Sequence, residues 1–124
     1  MARALTAFGY MGGKCQVLPW LLSKLPDCNH YVEPFGGGAS VLLNRERSHL
    51  ETYNDLEKDI VTFFKVLRCY PDELIRRINL TPTSRQEFID TFNPPSSDII
   101  ERARCFYIKA MQCFGATPLS LIHI

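Results

Sequence analysis

The chain has 124 residues, a formal net charge of +1 and 46% hydrophobic residues. That is enough sequence for one modest domain with a real core, and it argues against wholesale disorder. With no apolar run long enough to span a bilayer and no secretory signal pattern, a soluble cytoplasmic protein is expected.

Val17, Leu18, Leu21, Leu22 and Leu25 keep helical spacing, and Pro19 is tolerable only in a first turn. A helix is therefore predicted to start near residues 16–18 and to stop at Pro26-Asp27. Residues 31–35 read as a strand, 39–46 as a helix and 49–54 as a second strand. Leu56, Ile60, Phe63, Phe64 and Leu67 mark one face of an amphipathic helix over 56–67. Pro71-Asp72-Glu73 opens a further helix, with proline at its first position and acids in its first turn. Ser84-Arg85-Gln86-Glu87 fits a capping box for a helix through Phe92. Residues 93–97 are a loop, after which Asp98 caps the clearest helix in the chain. Its stripe is Ile99, Ile100, Ala103, Phe106, Tyr107, Ala110, Met111 and Phe114, and Gly115 is its stop. Only two strands are readable where a doubly wound sheet needs more, so the expected fold class is α/β with an unfinished sheet. Cys15, Cys28, Cys69, Cys105 and Cys113 form no CxxC pair, and His30, His49 and His123 are scattered, so no metal site is expected and reduced thiols are.

The first strand runs into Gly36-Gly37-Gly38 and a helix, and the second ends in Asn54-Asp55. Glycines let a ligand approach the main chain, and a helix start offers free N–H groups beside them. An acid at the end of the next strand can accept hydrogen bonds from both ribose hydroxyls. Asp55 follows the glycines at close to the spacing of about 20 residues found in adenosine-binding units. The plain alternative is a tight strand–helix turn with no ligand. A second glycine segment, Gly12-Gly13-Lys14, is not a triphosphate loop. Phe8 stands where that loop's first glycine should be, and Cys15 follows the lysine.

Together these segments resemble a known family. Tyr10-Met11-Gly12-Gly13-Lys14, then residues 31–38, then Tyr53-Asn54-Asp55 are similar to the N-terminal part of the Dam-type (D12 class) DNA adenine-N6 methyltransferases. The likeness runs from about residue 7 to about residue 115 and extends to Pro71-Asp72-Glu73-Leu74, as in phage and prophage members. It implies a partial Rossmann-like fold, S-adenosylmethionine as methyl donor and double-stranded DNA as partner, with neither metal nor membrane. It places Tyr10 and Lys14 in the cofactor pocket and Glu33 and Phe35 at the cofactor's methionine side. Gly36, Gly37 and Gly38 form the floor, and Asp55 lies on the ribose. It also implies a division into a cofactor-binding part (1–80) and the start of a helical target-recognition region (81–118).

The family activates the adenine amine with an Asp-Pro-Pro-Tyr motif whose ring stacks on the flipped base. No such motif occurs here, so no catalytic residue is assigned and the 124 residues alone are expected to be inactive. Asn93-Pro94-Pro95-Ser96 is read as a decoy, since serine cannot stack on a base and a capped helix precedes it. Arg76, Arg77, Arg85, Arg102, Arg104 and Lys109 could meet phosphates, but a solvated helix face is the expectation for most. Residues 119–124 read as a non-native tail resembling a translated sequencing adapter. Two rival readings are an NAD-type Rossmann oxidoreductase, which leaves residues 10–14 unexplained, and a non-enzymatic helical DNA-binding or regulatory protein.

Overall fold

A computed structural model describes residues 4–10 and 12–113. The chain divides into two compact units, Met1–Leu56 and Glu57–Ile124. This is a division of packing, and it falls earlier than the boundary at residue 80 drawn from the resemblance.

In the first unit a 3-10 turn at Lys14–Gln16 leads into α1 (Leu18–Leu22), with Pro19 in its first turn. Then come β1 (His30–Glu33), α2 (Ser40–Asn44) and β2 (Leu50–Tyr53). The strands lie parallel, with His30 beside Leu50 and Glu33 beside Tyr53. Parallel neighbours need a crossover, and α2 supplies it. Every element is shorter than the sequence suggests. β1 stops at Glu33 because Pro34 has no N–H to give. α1 ends at Leu22 rather than near Leu25. α2 ends at Asn44, whose amide turns to main chain: Nδ2 donates to Ser40 O (2.7 Å) and Leu5 O (2.6 Å), while Oδ1 accepts from Leu5 N–H (2.8 Å). One side chain thus closes the helix and ties down the N-terminal segment.

Side chains alternate across the two strands. Tyr31, Glu33, Glu51 and Tyr53 are buried or half-buried, and His30, Val32, Leu50 and Thr52 are exposed. Beside the covered face, the Arg45 guanidinium lies 4.2 Å over the Tyr31 ring and donates to Ser48 Oγ (2.8 Å).

The second unit is helical: α3 (Lys58–Cys69), α4 (Pro71–Asn79), α5 (Arg85–Asp90) and α6 (Ile99–Gln112). α6 packs against the other three, around Ile60, Phe63, Val66, Leu74, Phe88, Ala103, Phe106 and Ile108. The expected caps are present. Ser84 Oγ accepts from Glu87 N–H (3.1 Å), and Asp98 Oδ1 accepts from Ile100 and Glu101 N–H (3.0 Å each). The expected stripes need correction. Leu56 precedes α3 and is 92% exposed, while Val66, outside the predicted face, is fully buried. On α6, Ile99 and Met111 are exposed whereas Cys105 and Ile108 are buried. A helix with three neighbours is covered on more than one side, so a single stripe cannot describe it. Phe114, Gly115 and the predicted tail lie outside the described residues.

Four of the six basic residues named from sequence pair with carboxylates of this unit while keeping part of their surface in solvent. Arg77 bonds Glu73 Oε1 and Asp98 Oδ2 (2.8 Å each), Arg76 bonds Glu73 (2.8 Å), and Arg102 bonds Asp59 (2.7 Å). Arg104 bonds Glu101 (2.6 Å), Thr81 Oγ1 (3.0 Å) and Glu87. Glu87 is therefore turned toward Arg104, and the capping-box pattern serves as a serine cap with an interhelical ion pair. Hydrogen bonds from Arg76 and Arg77 hold the Glu73 carboxyl down at about 2, and the arginines beside Asp98 and Glu101 lower those two as well.

Candidate functional site

The carboxyl ends of β1 and β2 carry the glycine turn and Asn54-Asp55, and backbone bonds continue the pairing past the strands. Asn54 N–H donates to Glu33 O (2.9 Å) and Gly36 N–H to Asn54 O (3.0 Å). Parallel sheets bind ligands at this end. A cleft opens there, lined by Tyr10, Gly12, Gly13, Lys14, Phe35, Gly36, Gly37, Gly38, Ser40 and Asp55. It encloses about 140 Å³, against roughly 300–1,000 Å³ for a complete small-molecule pocket, so these residues make a floor and a wall.

Seven of the eight residues singled out from sequence meet in this cleft: Tyr10, Lys14, Phe35, Gly36, Gly37, Gly38 and Asp55. Glu33 is not among the lining residues. It lies at the end of β1, 5% exposed, and acts on its neighbours.

The glycines are there for two steric reasons. A Cβ on Gly36 would lie 2.0 Å from the Tyr53 ring, which packs directly against the turn. Gly37 has φ +52°, and a Cβ there would meet the Tyr10 ring at 3.1 Å. Ala39, at the start of α2, also has a positive φ (+56°), an unusual conformation for a residue with a side chain. Its N–H donates to Gly36 O (2.9 Å), which closes the turn. Tyr53 Oη donates to Gly37 O (2.7 Å). Burial, with Asp55 and Glu33 nearby, pushes that phenol's pKa well above its usual range, so it stays a donor.

Two carboxylates occupy the amides around the turn. Asp55 Oδ2 accepts from Gly37 N–H (2.8 Å), and Glu33 Oε2 accepts from Leu42 N–H in the first turn of α2 (3.1 Å). Ala39, at the N-cap, has no side-chain acceptor, so Glu33 does from β1 what a capping residue does locally. Glu33 Oε1 is buried without a hydrogen-bond partner and lies 3.8 Å from Lys14 Nζ. Lys14 Nζ donates to Phe35 O (3.2 Å), which holds Lys14 beside the floor. Burial raises the Glu33 pKa, against the opposing pull of Lys14 and the Leu42 N–H. Of the N–H groups expected at the helix start, Glu33 takes that of Leu42, and Asp55 takes that of Gly37 in the turn before it.

Sequence reasoning gave Tyr53 and Ser40 no part in the site. Tyr53 stands two residues before Asp55, and strand alternation points both the same way, which was the available signal. Ser40 Oγ is held 3.2 Å from Cys15 Sγ, a contact with no pattern in the sequence. Asn93-Pro94-Pro95-Ser96 follows α5 as an irregular loop, not the end of a strand. Among the described residues no group of three or more His, Cys, Asp or Glu side chains is arranged to hold a metal ion.

Comparison with known proteins adds a family. Residues 10–117 match the D12 class N6 adenine-specific DNA methyltransferases. A DNA N-6-adenine-methyltransferase of Escherichia phage P1 is 28% identical over 114 residues, covering 87% of this chain and 15% of the relative. The type II methyltransferase M.MjaIII of Methanocaldococcus jannaschii is 26% identical over 129 residues, covering 86% of this chain and 45% of the relative. The chain thus spans less than half the length of either relative.

Proposed function

Because this chain belongs to the D12 class N6 adenine-specific DNA methyltransferase family, we propose that its cleft is the S-adenosylmethionine site of a DNA adenine-N6 methyltransferase. The observation that carries the reading is the convergence of Tyr10, Lys14, Gly36, Gly37, Gly38 and Asp55 on one cleft at the carboxyl end of a parallel strand pair. The β1–α2–β2 unit is then the start of a Rossmann-like sheet. The family match leaves the NAD-type oxidoreductase and the non-enzymatic DNA-binding readings without support.

The residues present fit such a donor. The floor has no Cβ to block an adenosine, and a carboxylate borders it. S-adenosylmethionine supplies an electrophilic methyl group carried on a sulfonium. In this reading Asp55 accepts hydrogen bonds from the ribose hydroxyls while Gly37 N–H orients its carboxylate. The Tyr10 ring covers the adenosine side, where an aromatic face also attracts a sulfonium cation. Phe35, 79% exposed, is available to close over the methionine side. Lys14 ties its own segment to the end of β1 through Phe35 O and Glu33.

No Asp-Pro-Pro-Tyr occurs in the sequence, so the groups that activate the adenine amine are not assigned to these residues. We assign residues 1–80 to cofactor binding and 81–118 to the start of a recognition region for double-stranded DNA. Arg85 is the best phosphate candidate there, being exposed and in no ion pair among the described residues. Calorimetric titration with S-adenosylhomocysteine, the reaction's product, tests the cofactor reading. Binding is expected, with a loss of about tenfold or more in Asp55→Ala, which removes a charge-assisted acceptor. Equal binding of NAD, or no binding of the homocysteine product, overturns it.

A further inference from the structure

Gly37 is gripped from the end of β2 by both of its polar atoms. Asp55 Oδ2 accepts from its N–H (2.8 Å), and Tyr53 Oη donates to its C=O (2.7 Å). The second bond also orients the next residue. A peptide is planar and trans, so a C=O turned to one side turns the following N–H to the other. With Gly37 O facing Tyr53, the Gly38 N–H faces away from Tyr53. Gly38 lines the cleft and Tyr53 does not. The Gly38 N–H has no acceptor among the described residues. Turning this peptide over changes ψ of Gly37 and φ of Gly38 together, and two residues without a Cβ allow that at little cost. The glycines therefore make a swivel at this peptide, and the Tyr53 hydroxyl stops it. Burial, with Asp55 and Glu33 nearby, keeps that phenol protonated, so the stop holds at neutral pH. The ring has a separate task, which is to pack against Gly36.

From this we infer that Tyr53 is a positioning residue of the cofactor site: its hydroxyl locks the Gly37–Gly38 peptide in the orientation that presents the Gly38 N–H to a ligand in the cleft. Tyr53 touches no ligand and acts through the main chain. The inference deepens the cofactor reading above and rests on it for the identity of the ligand. The lock itself follows from the bond to Gly37 O. Without the hydroxyl, two orientations of the peptide share the population, and the apparent affinity falls with the competent fraction. One hydrogen bond of typical strength shifts the ratio of the two about fivefold.

The test compares the full 124-residue chain with its Tyr53→Phe variant, which keeps the ring against Gly36 and removes only the donor. Two measurements are made on each. Calorimetric titration gives the affinity for S-adenosylhomocysteine. NMR shifts and relaxation dispersion of the backbone amides, without ligand, report the orientation and exchange of each peptide. In the variant the affinity should fall about three- to fivefold. Altered shifts and new exchange should be confined to Gly37 and Gly38, while the amides of β1 and β2 keep their protection from hydrogen exchange. In the wild type the Gly38 amide should shift when S-adenosylhomocysteine is added. Unchanged affinity in the variant overturns the inference, because ring packing is then all that Tyr53 contributes. An affinity loss that leaves Gly37 and Gly38 as they were overturns it too. So does a loss accompanied by weakened protection throughout β1, α2 and β2, which marks a purely structural tyrosine. Failure of the wild type to bind S-adenosylhomocysteine sinks the cofactor reading. The peptide lock is then decided by the ligand-free amides: it stands if Tyr53→Phe sets Gly37 and Gly38 exchanging, and falls if it does not.

Discussion

The two units of this chain are built on opposite principles. The helical unit keeps its charges in arginine–carboxylate pairs around its helices and buries an apolar core, from Ile60 and Phe63 to Phe106 and Ile108. The first unit has four-residue strands and five-residue helices, and among the described residues its buried hydrophobics are Phe8, Leu18, Ala39 and Val41. It is held by side chains bonding to main chain: Asn44 to Leu5 and Ser40, Glu33 to Leu42, Asp55 to Gly37, Tyr53 to Gly37. Val32, Leu50 and Trp20 remain exposed. Local stability follows buried apolar contact, so the helical unit should open last and the cleft-bearing unit first. The residues that build the cleft also hold the unit closed, and ligand binding should therefore stabilise it by mass action.

The largest expected effect breaks the better-packed side. Phe63 is buried and meets Phe64, Phe106 and Tyr107 with ring centroids 5.5–6.0 Å apart. Phe63→Ala should cost about 3–5 kcal/mol, the usual range for truncating a buried aromatic, seen as lost helical signal in urea titrations. If the transition is unchanged, the helical core is not where the stability resides. Gly36→Ala comes next and strikes the other unit. Its Cβ would need the Tyr53 ring to move, because the two would otherwise be 2.0 Å apart. Overpacking of this kind costs about 1–3 kcal/mol. Binding of S-adenosylhomocysteine should be lost while the amide exchange of α3 and α6 stays as in the wild type. Third is Ser84→Ala, which removes the cap from α5 and should cost about 1 kcal/mol. That loss should shift the urea midpoint slightly and leave ligand binding alone.

The order and type of the elements could be read from the sequence, as could the caps at Ser84 and Asp98 and the proline at the start of α4, because each depends on neighbours a few residues away. The lengths in the first unit could not, because long-range bonds set them: Asn44 ends α2 by bonding Leu5, 39 residues earlier. The same distinction applies to the site. Gly36, Gly37, Gly38 and Asp55 carry their roles in spacing. The capping of α2 by Glu33 depends on a β-strand and a helix start being brought together, and no local pattern encodes it. On α6, a stripe drawn for one neighbour failed because three helices surround it.

The smallest expected effect comes from acid, and it separates the two units by sign. In the helical unit Glu73, Asp98 and Glu101 have pKa values lowered by arginines, Glu73 to about 2. The unfolded chain binds protons there first, so their contribution is complete above the ordinary carboxylate range and is lost as pH falls toward the lowered values. These pairs are partly or fully exposed to solvent, so the loss should be slight and should weaken further in salt. Glu33 behaves in the reverse way. Burial raises its pKa in the folded state, so the folded chain binds the proton first. Between the ordinary glutamate value and that raised value, the first unit gains stability as pH falls. Amide exchange followed from neutral pH down to the ordinary glutamate range should therefore show β1 and α2 gaining protection while α4 and α6 hold theirs. Below that range, α4 and α6 should lose protection. Glu33→Gln should abolish the gain at β1 and α2 and leave the helical loss untouched. If both units weaken together from neutral pH, the buried carboxylate does not control the first unit, and the contrast between a charge-paired unit and one strained by a buried charge fails.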